Sequence, residues 1–241
     1  MGNCSDKISR EHIVSKSLFL GNVVRAEGFP WCKTGPKEVG LSSLTSKTLC
    51  KKHNNDISYI DSGGANAFNV FRQLRLVANQ RHGLAPGTWQ VVEYRINGPL
   101  LERWLLKTLI NISYNGDYPI GARFIAKGHP NQELVEIVFG LRKFTGRAGL
   151  YFVVHTGQEV YSDDTVQFSP LIKDGAYIIG GLFSFRGFRL LLELAPEGPP
   201  QQLSGLGLNG EDWGYSQLNF HNQRINECQD RYLSQVVYLD W

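Results

Sequence analysis

The stretches that decide this fold are Arg10-Glu11-His12-Ile13-Val14 and Cys50-Lys51-Lys52-His53-Asn54-Asn55. The first is short and strand-like and ends in Ser15-Lys16-Ser17. In the second, a cysteine and a histidine three residues apart open a helical pattern, with Ile57 and Ile60 next on the apolar face. An imidazole can take a proton near neutral pH, and carboxylate and amide oxygens suit a hard divalent ion. Thiolate and imidazole at knuckle spacing suit a softer one.

Outward from these stretches, the charge is uneven. Residues 1–81 carry twelve Lys/Arg and six Asp/Glu, a net +6, against thirteen and sixteen, a net −3, in residues 82–241. The basic end is the end with the candidate site, and a basic surface concentrates a polyanion. A solvated lysine face would carry the same composition. With 42% hydrophobic and 20% charged residues over 241 positions, the chain has the makings of an ordinary globular core. Asp6, Lys7, Arg10 and Glu11 break any apolar leader after Met1, and no run is long enough to span a bilayer, so a cytoplasmic protein is expected. Of four cysteines, Cys4, Cys32 and Cys50 fall early, which in a reducing compartment favours metal binding over disulfides. Cys228 reads as a buried thiol.

Residues 20–40, rich in Gly, Pro and Lys with Gly35-Pro36 as a turn, read as a long loop, and 42–49 as a second short strand. Ser62-Gly63-Gly64 breaks the helical pattern that begins at Cys50, predicting two helices. Residues 67–80, with Arg72 and Arg75, form a basic amphipathic helix suited either to a phosphate backbone or to packing on the next domain. Beyond it, strands are expected at 88–96, 122–126, 134–139, 150–155, 177–182, 189–194 and 236–239. One helix, from Pro99 through Trp104 to Ile112, should pack on a mixed sheet. Residues 196–214 read as an exposed loop. The class is α+β: a unit over 1–62, a basic connecting helix over 63–82 and a β-rich domain over 83–241. The last would recognise substrate, sense a ligand or dock a regulatory or targeting protein subunit.

Cys4, Glu11-His12 and Cys50-x-x-His53-Asn54, followed by Ile57-Ser58 and Asp61, resemble the HNH nucleases of the ββα-metal class, particularly those with a zinc knuckle. The resemblance covers the N-terminal quarter. It implies that His12 is the general base that activates water. Glu11 and Asn54 would then hold a catalytic Mg²⁺ or Mn²⁺; an amide rather than a second histidine keeps those hard ions in place. It also implies a structural Zn²⁺ on Cys4, Cys50 and His53. Position 7, a cysteine in two-pair knuckles, is Lys7 here, which leaves Cys32 to supply a fourth ligand. The alternative is a zinc-free unit whose cysteines pack as small apolar residues. A further alternative makes His53 the closing metal-binding histidine, with Asn54 and Asn55 capping the helix. The family's Asn before the second knuckle is replaced by Thr45-Ser46. Ser58 and Asp61, three apart, should hold the helix to the first strand.

The expected activity is hydrolysis of phosphodiester bonds in nucleic acid, DNA before RNA, with Lys51, Lys52, Arg72 and Arg75 contacting the backbone. HNH units joined to a second domain resemble effectors of bacterial defence or mobile elements. The competing expectation is a catalytically inactive zinc-binding module that docks nucleic acid or a protein partner.

Overall fold

The computed structural model describes residues 4–5, 7–19, 21–32, 34–81, 91–114, 116–155, 165–185, 188–197, 213–217, 223–227 and 235–241. The architecture is α+β. Strand β1 (Glu11–His12) pairs antiparallel with a later strand, Thr45–Ser46, placing Glu11 opposite Ser46 and His12 opposite Thr45. Backbone bonds extend this ribbon at both ends: Ile13 N–H to Leu44 C=O at 2.9 Å, and Ser9 N–H to Leu49 C=O at 2.9 Å. Ile8 then bridges Cys50, and a helix, Lys51–Asp56, begins at once. Strand, strand and helix are thereby held together by main-chain bonds.

The segment expected as a loop between them is instead a hairpin of β2 (Val23–Glu27) and β3 (Lys37–Gly40). Its signal was alternation: Val24 and Ala26 face the core while Val23 and Arg25 face out. Gly and Pro belong to the connection and hid the two short strands. With the Thr45–Ser46 strand as β4, the hairpin joins a seven-stranded sheet ordered β10-β6-β9-β8-β7-β2-β3. Its remaining strands are β6 (Gly149–His155), β7 (Thr165–Lys173), β8 (Tyr177–Phe185), β9 (Phe188–Glu193) and β10 (Trp213–Gln217). The link is the parallel pairing of β2 with β7. A second sheet orders β11 (Gln223–Glu227), β12 (Gln235–Asp240) and β5 (Val92–Asn97). Residues 88–90 of the expected strand over 88–96 lie outside the described residues. So does most of the expected loop over 196–214, whose last two residues open β10.

The helix Lys51–Asp56 is α1, and α2 (Ser58–Arg81) follows after a single turn residue, Ile57. The break expected at Ser62-Gly63-Gly64 does not occur. Those glycines lie where α2 crosses α3 (Gly98–Ser113): a Cβ on Gly63 would come within 2.6 Å of Leu100 Cβ, and one on Gly64 within 2.5 Å of the Trp104 ring. They are absent side chains that let two helices touch. Helix α3 starts as expected, with Pro99 in its first turn and Asn97 Oδ1 accepting from Leu100 N–H at 2.9 Å.

The strand expected at 134–139 is a helix, α4 (Gln132–Val138). Asn131 caps it, its Oδ1 accepting from Leu134 N–H at 2.9 Å, and Leu134, Ile137 and Val138 are buried at helical spacing. Residues 122–126, also expected as a strand, form turns. Strand β7 was not anticipated; Pro170 lies within it, just before its register shifts at Leu171/Ile172.

The largest of three hydrophobic clusters among the described residues joins the helices to the sheet. It takes Ile13, Val14 and Leu18 from the N-terminal stretch, Ile60, Phe68 and Phe71 from α2, Trp104 and Leu105 from α3, and Phe168, Phe183 and Leu190 from the sheet. Residues 1–62 share both a sheet and a core cluster with residues 83–241. Among the described residues, no helix is long and apolar enough to cross a membrane.

Candidate metal and proton-transfer site

The start of α1 builds a cluster. Cys50 is its N-cap, its Sγ accepting from His53 N–H at 3.5 Å, and one helical turn brings the His53 ring back over the same end. The strand bridge and the Lys51 N–H to Lys7 C=O bond, 2.8 Å, bring the N-terminal segment against that helix start. Nδ1 of His53 then lies 3.3 Å from Cys50 Sγ and 3.5 Å from Cys4 Sγ, and the three donor atoms sit within 4.8 Å of one another. Two thiols and an imidazole so placed could hold a metal ion. The His53 N–H, above all, holds the Cys50 thiol down at about 6, with burial opposing and Ser5 and Cys4 assisting. The anionic form that ligates metal is thus favoured at neutral pH.

Cys32 is not in this cluster. It is buried in the main core, where its thiol donates to Ala26 C=O at 3.5 Å, and it packs as a small apolar residue. The hairpin, unread in the sequence, carries it there. Position 7, where a second knuckle pair would place its other cysteine, is an exposed lysine.

Neither a family model, nor a curated protein, nor a solved structure matches the chain. The chemistry of the site therefore rests on its own geometry.

Strand alternation sends Glu11 and His12 to opposite sides of β1. His12 is half-buried, while Glu11 is buried. Asn54, half-buried on α1, donates from Nδ2 to Ser9 Oγ at 3.0 Å, tying the helix to the residue two before Glu11. Glu11 points at α3. The Lys107 ammonium rests against its Oε1 and also donates to Asp61 Oδ2 at 2.8 Å. Ser15 donates to the other Asp61 oxygen at 2.8 Å and accepts from Trp104 Nε1–H at 2.9 Å. The Asn111 amide lies beside Glu11, and its Oδ1 accepts from Thr48 Oγ1 at 2.7 Å. Burial pushes the Glu11 carboxyl above its ordinary range; Lys107 and Asn111 oppose this and Asp61 adds to it.

This carboxylate fits the part of a ligand for Mg²⁺ or Mn²⁺ poorly, because a buried ammonium already rests against Oε1; that ammonium is shared with Asp61, and Glu11 Oε2 is buried without a hydrogen bond among the described residues. Asp61 ties α2 to the stretch after β1, as its place in the sequence predicts. Ser58 does not, because its hydroxyl donates to Asn55 C=O within its own helix region at 2.9 Å. Lys107 and Asn111 went unread in the sequence, although Trp104, Lys107 and Asn111 form a polar-tipped stripe in a helix otherwise rich in Leu and Ile. Two cavities flank this network. One of 390 Å³ is lined by Ile13, Trp31, Thr45 and Asn111, among others, and one of 330 Å³ by Leu49, Ile57, Lys107 and Phe139, among others.

Of the expected backbone contacts, Lys51 and Lys52 are exposed on α1, with Lys52 paired to Asp56 at 3.3 Å. Arg72 is half-buried, with its Nε sealed from solvent. The Arg75 side chain lies outside the described residues, as does Cys228.

Proposed function

We propose that this chain is an HNH-type nuclease whose strand–strand–helix unit is clamped by Zn²⁺ on Cys4, Cys50 and His53. The observation that carries the reading is the main-chain ribbon of β1 and β4, leading directly into α1. It offers a half-buried His12 and exposed Lys51 and Lys52 in one small unit. Soft thiolates with imidazole suit zinc over hard ions, and zinc here supplies cross-linking of the N-terminal segment to the helix.

In this reading His12 takes a proton from water, the resulting hydroxide attacks phosphorus, and the P–O3′ bond breaks, O3′ taking a proton from solvent water, to leave a 5′-phosphate and a 3′-hydroxyl. Lys51 and Lys52 hold the phosphate backbone, with DNA the expected substrate over RNA. The larger sheet serves recognition or docking of a regulatory partner. The test is incubation of the purified protein with supercoiled plasmid, single-stranded DNA and RNA, with Mg²⁺, Mn²⁺ or EDTA. Cutting that disappears in His12→Ala supports the reading.

One observation favours a second reading. With Glu11 held by Lys107, the described residues place no free carboxylate beside His12 for a metal-dependent nuclease to use, which suits a zinc-clamped module that binds nucleic acid or a protein without cutting. Nucleic-acid binding that survives His12→Ala, with no cleavage under any condition, supports that reading instead.

A further inference from the structure

A divalent-metal nuclease would place a doubly charged ion at the acidic residue beside its histidine. The residues around Glu11 argue for a different cation, one that the chain carries itself. We infer that Lys107 is the resident counter-ion of Glu11, and that the Glu11–Lys107–Asp61 clasp positions the strand that carries His12. The inference rests on the nuclease reading only in giving His12 a task.

The argument begins with burial. The Lys107 and Glu11 side chains are 4% and 3% exposed, so each charge has lost most of its water and needs a partner. Lys107 meets two carboxylates at once, Glu11 from β1 and Asp61 from α2. A metal ion at Glu11 would have to sit beside that ammonium or expel it, and expulsion would strand a buried cation. The surrounding bonds oppose such a move. Asp61 is gripped from its other oxygen by Ser15, and Ser15 in turn by the indole of Trp104, one helical turn from Lys107 on α3.

The same network explains what the clasp does. Glu11 and His12 are neighbours on a strand only two residues long, so the direction of one side chain sets that of the other. Fixing Glu11 to α3 therefore fixes the side of the strand from which His12 projects. Asn54, bonded to Ser9, restrains the segment that leads into this strand from the helix side. Lys107 is thus a positioning residue that acts through Glu11.

Mn²⁺ binding, followed by the loss of the free-ion electron paramagnetic resonance signal, tests this without any need for cleavage, so it stays readable if the nuclease reading fails. Wild type and Glu11→Gln should bind Mn²⁺ alike, within twofold. A tenfold or greater loss of affinity in Glu11→Gln would show that Glu11 ligates metal and would overturn the inference. A second arm removes the ammonium. Lys107→Met should melt several degrees below wild type, with millimolar Mn²⁺ restoring part of the loss, whereas Lys107→Arg should stay closer to wild type without metal. A Lys107→Met protein that melts with wild type would also overturn it. Where Lys107→Met does not fold, the comparison of wild type with Glu11→Gln decides alone.

Discussion

Gly64 of α2 lies directly against the indole of Trp104 on α3, so close that a Cβ there would stand 2.5 Å from the ring. Trp104 is 1% exposed and its N–H is tied to Ser15, so it cannot swing aside. Gly64→Ala would gain up to ~1 kcal/mol of helix propensity, but forcing a methyl into this crossing costs about 1–3 kcal/mol or more. The net outcome expected is a lower unfolding midpoint in urea. Gly35, which has open space around it, gives a control position for side-chain addition, although its positive φ of 114° adds its own strain.

Among the described residues, the cluster at α1 is one protein ligand short of a closed tetrahedral site. Since the Lys7 carbonyl already bonds Lys51 N–H, a thiol at position 7 would begin from backbone held beside the cluster. Lys7→Cys should raise zinc affinity by at least tenfold, and Cys50→Ser should abolish stoichiometric zinc. Competition against a chromophoric chelator measures both, and Lys7→Cys affinity no better than wild type would place the metal elsewhere.

Two buried acids should make stability fall with rising pH. Glu102 and Glu193 are 6% and 0% exposed, and burial pushes each up to about 7 against an ordinary value of 4.5. Leu150 N–H, donating to Glu102, and Ala195 N–H, donating to Glu193, offset this only in part. Between these values the folded protein holds protons that the unfolded chain has released. Stability from these groups is therefore complete below about pH 4.5 and is lost as pH rises through 7. The expected loss per group is on the order of 1–3 kcal/mol. Urea unfolding at pH 5 and pH 8 should show it, and Glu102→Gln or Glu193→Gln should flatten the difference.

What the sequence disclosed and what it hid divide along the range of the interactions. The grouping of Cys50 with His53 was readable because one turn of one helix sets their spacing, and Cys4 joins them because the ribbon is local in space once the intervening hairpin is removed. Cys32 was misassigned for the same reason, since that hairpin carries it into the core. The stretch from Leu134 to Phe139 satisfies strand and helix patterns alike, and the cap at Asn131 settles it. Gly63 and Gly64 signal a break in isolation and a close crossing only once Trp104 is known to face them. Lys107 was beyond reach: its two carboxylates come from β1 and α2, and nothing in its own neighbourhood names them.

The central claim is that His12 does the chemistry. Its most direct test is the initial rate of plasmid nicking by wild type and His12→Ala at matched zinc content and matched thermal stability. The account predicts a fall of at least a hundredfold, as expected when a general base is removed. Equal rates in the two proteins, or no nicking by either while nucleic acid still binds, would contradict it.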